Sequence, residues 1–260
     1  MPGIATHLVV RAVDSRVLTP TVGTRRRLAR ALVRVGDPYR LLAFGAADTH
    51  VHILLLGAEQ PAAGVHALAL ALRAAVGLPV PLDRTRTTLV VDQGHLSRTF
   101  LYVLGQAAHH GVAFDPFREA TSLPELLGLR PGGEGLIRRV RAALPRLGRA
   151  HLLDSLGVAA LEPDLLLDHV LDAGCAAAGV DRFDGRSARV VAARHAALAL
   201  LAPRIGAAAA AAVLGVDPRS ARRARATPAD PEWTRAVGLQ MGLRSAWAAA
   251  NLRRSPAPPA

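Results

Sequence analysis

Two histidines separated by one residue are the first candidates for chemistry in this chain. His50 and His52 lie in the segment 49–56, whose other residues are almost all apolar. If this segment is a β-strand, alternation places both imidazoles on one face, within reach of a single metal ion. Buried imidazole nitrogens need polar partners. The pattern leaves two interpretations open, a metal or catalytic site and a pair of satisfied core histidines.

A tyrosine and a glutamine one helical turn apart are the second candidate. Residues 97–111 predict a helix, with Ser97 as its N-cap and Gly111 just beyond its end. Tyr102 and Gln106 are spaced i, i+4, so their side chains are neighbours on its polar side. The periodicity places an apolar stripe on the opposite side: Phe100, Leu101, Val103, Leu104, Ala107 and Ala108. The helix either exposes a tyrosine at the surface or carries a nucleophile with a metal ligand one turn away.

Strands and helices are both predicted in the first half of the chain, and they must position these residues. Alternating or continuous β-favouring residues predict strands at 6–13, 39–44, 50–56 and 87–91. Helical periodicity predicts helices at 24–35 and 61–76. The first helix has a basic face that is either solvated or lies along a phosphate backbone: Arg26, Arg27, Arg30 and Arg34.

The second half of the chain predicts only helices. A Gly- and Pro-rich stretch at 129–135 is the best linker candidate. The expected organisation is therefore a first domain at 1–130, a helical domain at 136–250 and a disordered tail at 251–260. The predicted helices are 136–144, 165–178, 187–201, 207–214 and 218–226.

Within that half, residues 207–226 have the layout of a helix-turn-helix. An Ala-rich helix and a Gly turn precede a short, arginine-rich helix with Asp217 as its predicted N-cap. The side chains expected to face a DNA groove are Arg219, Arg222 and Arg223. The alternative is an ordinary helical hairpin with a solvated basic end.

The composition is that of a basic globular protein without cysteine chemistry. The formal net charge is +12, and all 32 basic residues are arginine. Such a charge attracts polyanions, of which nucleic acid is the most common in a cytoplasm. The single cysteine, Cys175, excludes an internal disulfide and a cysteine metal cluster. No apolar run approaches the roughly 20 residues of a membrane span, and no signal-peptide layout opens the chain, so a cytoplasmic location without a membrane is expected.

The order of these motifs resembles a known family. A first strand with His7 and Arg11 leads to a turn with Arg16; the strand His50-Val51-His52 follows, and later the helix with Tyr102 and Gln106. This order is similar to that of the single-tyrosine HUH transposases, in particular the REP-associated tyrosine transposases. The resemblance covers roughly residues 4–130. The segment 194–225 is also similar to the DNA-binding domain of the bacterial replication initiator.

The resemblance implies both a fold and a reaction. The fold would be α+β, a ferredoxin-like domain with an antiparallel sheet, followed by an all-α helix-turn-helix domain. His50, His52 and Gln106 would hold Mg²⁺ or Mn²⁺. Tyr102 would attack single-stranded DNA at hairpin-forming repeats, giving a 5′-phosphotyrosine. Arg11 and Arg16 would contact this hairpin DNA, while the second domain binds duplex DNA.

The sequence departs from the family pattern at two places. Asp48-Thr49 replaces the Pro-Asn that usually precedes the first histidine. After Tyr102, the family's common Asn-Pro-Val-Arg-Ala-Gly is replaced by Gln106-Ala107-Ala108-His109-His110-Gly111. Two other functions remain open. One is a domesticated DNA-binding regulator that keeps the fold but does not cleave. The other is an unrelated metal-dependent enzyme that uses the two histidines with Asp48 and has no use for Tyr102.

Overall fold

The structure is a computed structural model that describes residues 3–57, 62–112, 115–154 and 167–254. The chain divides into two compact units: residues 1–126 with 132–148, and residues 127–131 with 149–260. The first unit is α+β and the second is all-helical, as the sequence predicts. No helix in the described ranges is both long and apolar enough to cross a membrane.

A four-stranded antiparallel sheet forms the centre of the first unit. The strands lie in the order β2-β3-β1-β4. Two helices connect them, so that the chain follows the β-α-β-β-α-β path of a ferredoxin-like fold. The six elements are β1 (Ala5–Arg11), α1 (Val22–Gly36), β2 (Leu41–Ala47), β3 (His50–Leu56), α2 (Ala62–Val76) and β4 (Arg86–Val90).

Strand β2 begins two residues later and ends three residues later than the sequence predicts, so Tyr39 and Arg40 belong to the turn before it. Residues 45–47 were expected to form the connection to β3, but Gly45 pairs with His52 and Ala47 pairs with His50. Gly and Ala have low strand propensity, yet these residues are buried and complete the ladder. The hairpin turn is consequently reduced to Asp48 and Thr49, with Asp48 at a φ of +46°.

Helices α1 and α2 pack against each other and belong to the core of this unit. Leu28 and Leu32 on α1 and Leu68 and Leu72 on α2 are all fully buried. The basic face of α1 is not uniformly solvated, because Arg26 is only 6% exposed. Its guanidinium donates to the carboxylate of Glu119 at 2.9 Å, so that this charge is paired inside the fold. Thr21 begins α1 with a reciprocal capping box to Thr24.

Two helices contact β2 in the region of the candidate site. They are α3 (Gln93–Leu104) and α4 (Gln106–His109). The predicted N-cap at Ser97 is wrong, since α3 begins one turn earlier, where the Asp92 side chain accepts from the backbone N–H of His95 at 2.7 Å. The predicted single helix is also interrupted at Gly105. Gly111 has a φ of +62° just beyond α4, in agreement with its predicted place after the helix.

Two further helices complete the first unit. They are α5 (Leu123–Leu126) and α6 (Glu134–Ala143). Arg139 attaches α6 to the sheet, because it donates to the carbonyl of Leu41 at 3.0 Å and pairs with Asp37 at 2.7 Å. The segment expected to open the helical domain is therefore part of the sheet unit.

The second unit is built on small side chains. Its core is rich in alanine, including Ala173, Ala177, Ala193 and Ala197, all fully buried. After a 3-10 turn at Leu167–His169, the helices are α8 (Val170–Ala178), α9 (Ala188–Ile205), α10 (Ala207–Val213), α11 (Pro218–Arg225) and α12 (Pro231–Arg254); α7 (Arg149–Asp154) precedes them. The start predicted for α8, residues 165–166, lies outside the described residues.

Helix α12 is not predicted by the sequence patterns. Its buried residues include Gln240, Arg244 and Ser245, so polar residues interrupt the expected apolar stripe. Gln240 donates to the carbonyl of Leu129 at 3.1 Å. The predicted disordered tail is wrong for residues 251–254, which are helical, while residues 255–260 lie outside the described part of the chain.

Candidate metal centre and nucleophile

Strand β3 brings its two histidines together, as alternation predicts. The ring centroids of His50 and His52 are 4.7 Å apart. His52 is only 4% exposed, whereas His50 is half-buried. Register pairs His52 with Val9 and His50 with Arg11 of β1, so these four side chains share one face of the sheet.

A third histidine, missed by the sequence analysis, completes the group. The His110 ring centroid is 4.6 Å from that of His50. The candidate ligand nitrogens of His50, His52 and His110, the histidine cluster, all lie within 4.8 Å of one another. His110 arrives there because α3 ends at Gly105 and the short helix α4 carries the chain on to it. The adjacent pair His109-His110 before a helix-ending glycine was the available signal.

His7 lies on the neighbouring strand β1 and contacts His52 of the histidine cluster. Its Nε2 lies 2.8 Å from Nδ1 of His52, and the two rings are stacked. The other ring nitrogen of His52, Nε2, is buried and has no hydrogen-bond partner within the described part of the chain. A buried polar atom without a partner is costly, by about 1–3 kcal/mol. This nitrogen is therefore suited to a ligand.

Burial keeps these imidazoles neutral near pH 7. Desolvation, followed by the neighbouring His7, lowers the pKa of His52 from 6.5 to about 3. Desolvation also lowers the pKa of His50, with His110 as the next cause, and that of His7, with His95 as the next cause. A neutral imidazole is the form that binds a metal ion.

Tyr102 lies directly against the histidine cluster. Its ring is edge-on to that of His52, with centroids 5.3 Å apart, and 6.2 Å from that of His7. The tyrosine is 39% exposed, so solvent and a substrate can reach it. The structure thus joins the His-x-His strand to the Tyr-containing helix, which the sequence analysis could connect only through the resemblance.

Gln106 is fully buried, although periodicity had placed it on the polar side of a continuous helix. Its Nε2 donates to the carbonyl of Tyr102 at 2.9 Å. Its Oε1 is buried and has no hydrogen-bond partner among the described residues. The break at Gly105 explains the change, because α4 does not continue the periodicity of α3. Leu101, expected in the apolar stripe, is instead 53% exposed, since the buried stripe of α3 is narrower than predicted.

The side chains present fit a divalent metal ion. Two buried atoms, Nε2 of His52 and Oε1 of Gln106, lack partners in the described ranges. The histidine cluster adds the nitrogens of His50 and His110. Imidazole nitrogen and amide oxygen are both ordinary ligands of divalent ions.

Gly45 allows the helices to approach the sheet beside this site. A Cβ placed on Gly45 would lie 2.0 Å from the carbonyl oxygen of Val103 and 3.6 Å from Cγ of Gln106. No real Cβ tolerates the first distance. Because Gly45 pairs with His52, the missing side chain brings the backbone of α3 close to the strand that carries the histidines.

The arginines predicted to bind DNA lie in different places. Arg11 pairs with His50 in the β1–β3 register and forms an ion pair with Asp83 at 2.7 Å. Arg16 lies in the loop after β1, where it donates to Asp14 at 2.7 Å. Both ion pairs are exposed and contribute little stability.

The arginines predicted to bind duplex DNA are solvent-exposed. Arg219, Arg222 and Arg223 project from α11. The predicted N-cap is confirmed, because the carboxylate of Asp217 accepts from the backbone N–H of Arg219 and of Ser220. Residues 214–217, with Gly215 at a φ of +61°, form a short turn between α10 and α11.

Comparisons with known proteins give one structural likeness. No protein-family model matches the chain, and no curated protein matches its sequence. Among solved structures, the chain is similar to a REP-associated tyrosine transposase bound to a REP hairpin. The match has 16% sequence identity and a TM-score of 0.36, and it covers 43% of this chain and 70% of that chain.

Proposed function

We propose that this protein is a metal-dependent DNA transposase that cleaves and rejoins single-stranded DNA at hairpin-forming repeats. The observation that carries the proposal is the contact between Tyr102 and His52, whose ring centroids are 5.3 Å apart. It combines an accessible hydroxyl with the neutral imidazoles of His50 and His52, which fit a divalent ion. A protein that only binds DNA has no need of this combination.

The metal would be Mg²⁺ or Mn²⁺, held by His50, His52 and Gln106. When bound, such an ion polarises the scissile phosphate and stabilises the charge that develops on it. The unpartnered Nε2 of His52 and Oε1 of Gln106 support this ligand assignment. His7 would hold the ring of His52 in place through their hydrogen bond.

Tyr102 supplies the nucleophile in this proposal. Its phenolic oxygen forms a bond to the phosphorus, and the bond from phosphorus to the 3′ oxygen of the preceding nucleotide breaks. The phenol loses its proton and the departing 3′ oxygen gains one. The products are a 5′-phosphotyrosine and a free 3′-hydroxyl. Attack by a 3′-hydroxyl on the phosphotyrosine reverses the step and rejoins DNA, with no need for a nucleotide cofactor.

Arginines would hold the DNA. Arg11 is placed next to His50 by the strand register, so it can exchange Asp83 for a phosphate close to the site. Arg16 would contact the same strand from the loop after β1. The exposed arginines of α11 would bind duplex DNA, and the net charge of +12 favours both interactions.

The test uses labelled hairpin-tailed oligonucleotides with Mg²⁺ or Mn²⁺, followed by denaturing gels. We expect the wild type to form a covalent adduct on the 5′ side of the cleaved strand. Tyr102→Phe should form none and still bind the oligonucleotide, because the ring remains. The His50→Ala/His52→Ala double variant should also bind DNA without forming an adduct.

Three outcomes would contradict the proposal. An adduct that persists in Tyr102→Phe would assign the nucleophile to another residue. Metal-dependent cleavage without any adduct would favour the unrelated enzyme that uses the two histidines with Asp48. Binding without cleavage on every hairpin substrate would favour the domesticated regulator.

A further inference from the structure

The proposed ligands leave one member of the histidine cluster unused. His110 has a candidate ligand nitrogen within 4.8 Å of those of His50 and His52. Two nitrogens bound to one ion at about 2.1 Å each are at most about 4.2 Å apart. The exposed side chain of His110 can rotate to close a difference of this size.

The backbone around His110 is built to place it there. It is the residue at which α4 ends, and Gly111 follows with a φ of +62°, a conformation that favours glycine. The chain therefore turns away immediately after His110. The His110 ring is edge-on to that of His50, with an interplanar angle of 86°.

A separate observation points to a ligand at the same cluster. His52 is 4% exposed, and its Nε2 has no partner in the part of the chain that the structure describes. The hydrogen bond between Nδ1 of His52 and His7 occupies the other nitrogen. One buried, unpartnered nitrogen thus belongs to a group with two further imidazoles.

We propose that His110 is a metal ligand together with His50 and His52, and that this three-nitrogen site selects a later transition-metal ion such as Co²⁺ over Mg²⁺. This inference rests on the proposed function only because both concern the same metal site. Mg²⁺ prefers oxygen ligands and keeps much of its water, whereas imidazole nitrogen suits the later first-row ions. Each added imidazole therefore increases the affinity for Co²⁺ more than the affinity for Mg²⁺.

Calorimetric titration of the metal-stripped full chain, with Co²⁺ and with Mg²⁺ in separate experiments, tests the selectivity. The wild type should bind Co²⁺ more tightly than Mg²⁺. His110→Ala should lower the affinity for Co²⁺ by about tenfold or more, since even an outer-shell partner of a ligand is worth that much. Its affinity for Mg²⁺ should change by less than about threefold, because Mg²⁺ gains little from an imidazole. The visible absorption of bound Co²⁺ should also change in His110→Ala.

His109→Ala is the matched control. His109 is the adjacent, exposed histidine, and its ring contacts both Tyr102 and His110, yet it is not part of the histidine cluster. This variant should keep the Co²⁺ affinity and spectrum of the wild type. Thermal melts in EDTA establish that both variants are folded.

Two results would overturn the inference. One is an unchanged Co²⁺ affinity in His110→Ala, and the other is an equal loss for Co²⁺ and Mg²⁺. The Tyr102 adduct assay is independent of these titrations. If an adduct forms together with either of these results, the proposed function holds and the metal selectivity does not. If His110→Ala selectively loses Co²⁺ affinity but the wild type forms no adduct, the metal site holds and the proposed DNA cleavage does not.

Discussion

Nε2 of His7 lies 2.8 Å from Nδ1 of His52, across two neighbouring strands of the sheet. A histidine that binds a metal through Nε2 carries its proton on Nδ1. His52 then donates to His7, and His7 accepts. With a metal ion on Nε2 of His52, the contact would hold both the tautomer and the ring orientation of that ligand.

Removing this acceptor should weaken metal binding. We expect His7→Leu to lower the affinity for Mn²⁺ by about 10–100-fold, the usual effect of losing a partner of a metal-bound histidine. His7→Gln should retain most of the affinity, because its amide oxygen can accept from His52. Calorimetry on the two folded variants measures the difference. Equal affinities in His7→Leu and wild type would show that His7 does not position His52.

Adding one methyl group at position 45 should displace α3 and so disturb the candidate site. The new Cβ of Gly45→Ala would meet the carbonyl oxygen of Val103 at 2.0 Å, so α3 must move away from the sheet. We expect a loss of about 1–3 kcal/mol in the free energy of unfolding, as for other overpacked positions. The rate of Tyr102 adduct formation should fall at least about tenfold, because small misplacements of a reacting group are costly.

Gly185→Ala is the control for this change, since a Cβ at Gly185 would meet no atom within 4 Å. It should unfold at the same urea concentration as the wild type. A Gly45→Ala protein with normal stability and a normal adduct rate would show that the glycine does not set the position of α3.

The arginines of α11 should govern binding to duplex DNA. We expect the triple variant Arg219→Ala/Arg222→Ala/Arg223→Ala to bind duplex more weakly. If all three contact phosphates, the slope of log affinity against log salt should become shallower by up to about 2.7. Fluorescence anisotropy over a salt series measures both quantities.

The control variant must remove three arginine charges at positions outside α11. Arg141, Arg149 and Arg186 are also exposed, and their triple replacement by alanine should reduce duplex binding less. The helix-turn-helix interpretation is wrong if both triple variants weaken binding to the same extent.

The sequence predicts most of the elements around the site. The four strands and the neighbouring placement of His50 and His52 follow from residue alternation, which depends only on local geometry. The position of Gly111 just beyond α4 follows from backbone preference. The roles of Tyr102 and Gln106 in chemistry remain predictions.

What the sequence could not predict depends on contacts between distant segments. The position of His110 beside His50 requires the break at Gly105, and a glycine weakens a helix without indicating where the chain goes next. The hydrogen bond between His7 and His52 needs the β1–β3 register. Helix α12 buries Gln240, which a periodicity of apolar residues cannot detect.

The buried amide of Gln106 limits which amino acids can stand at its position. One end of the group donates to the carbonyl of Tyr102, so the oxygen at the other end necessarily points away. A glutamate would set a negative oxygen against that carbonyl, and a leucine would offer neither a donor nor an acceptor. If Gln106 binds the metal as proposed, this single planar group would both satisfy a carbonyl near the end of α3 and present an oxygen to the ion. Amide side chains satisfy both demands at once, and exchange for an acid or a hydrocarbon of equal size does not.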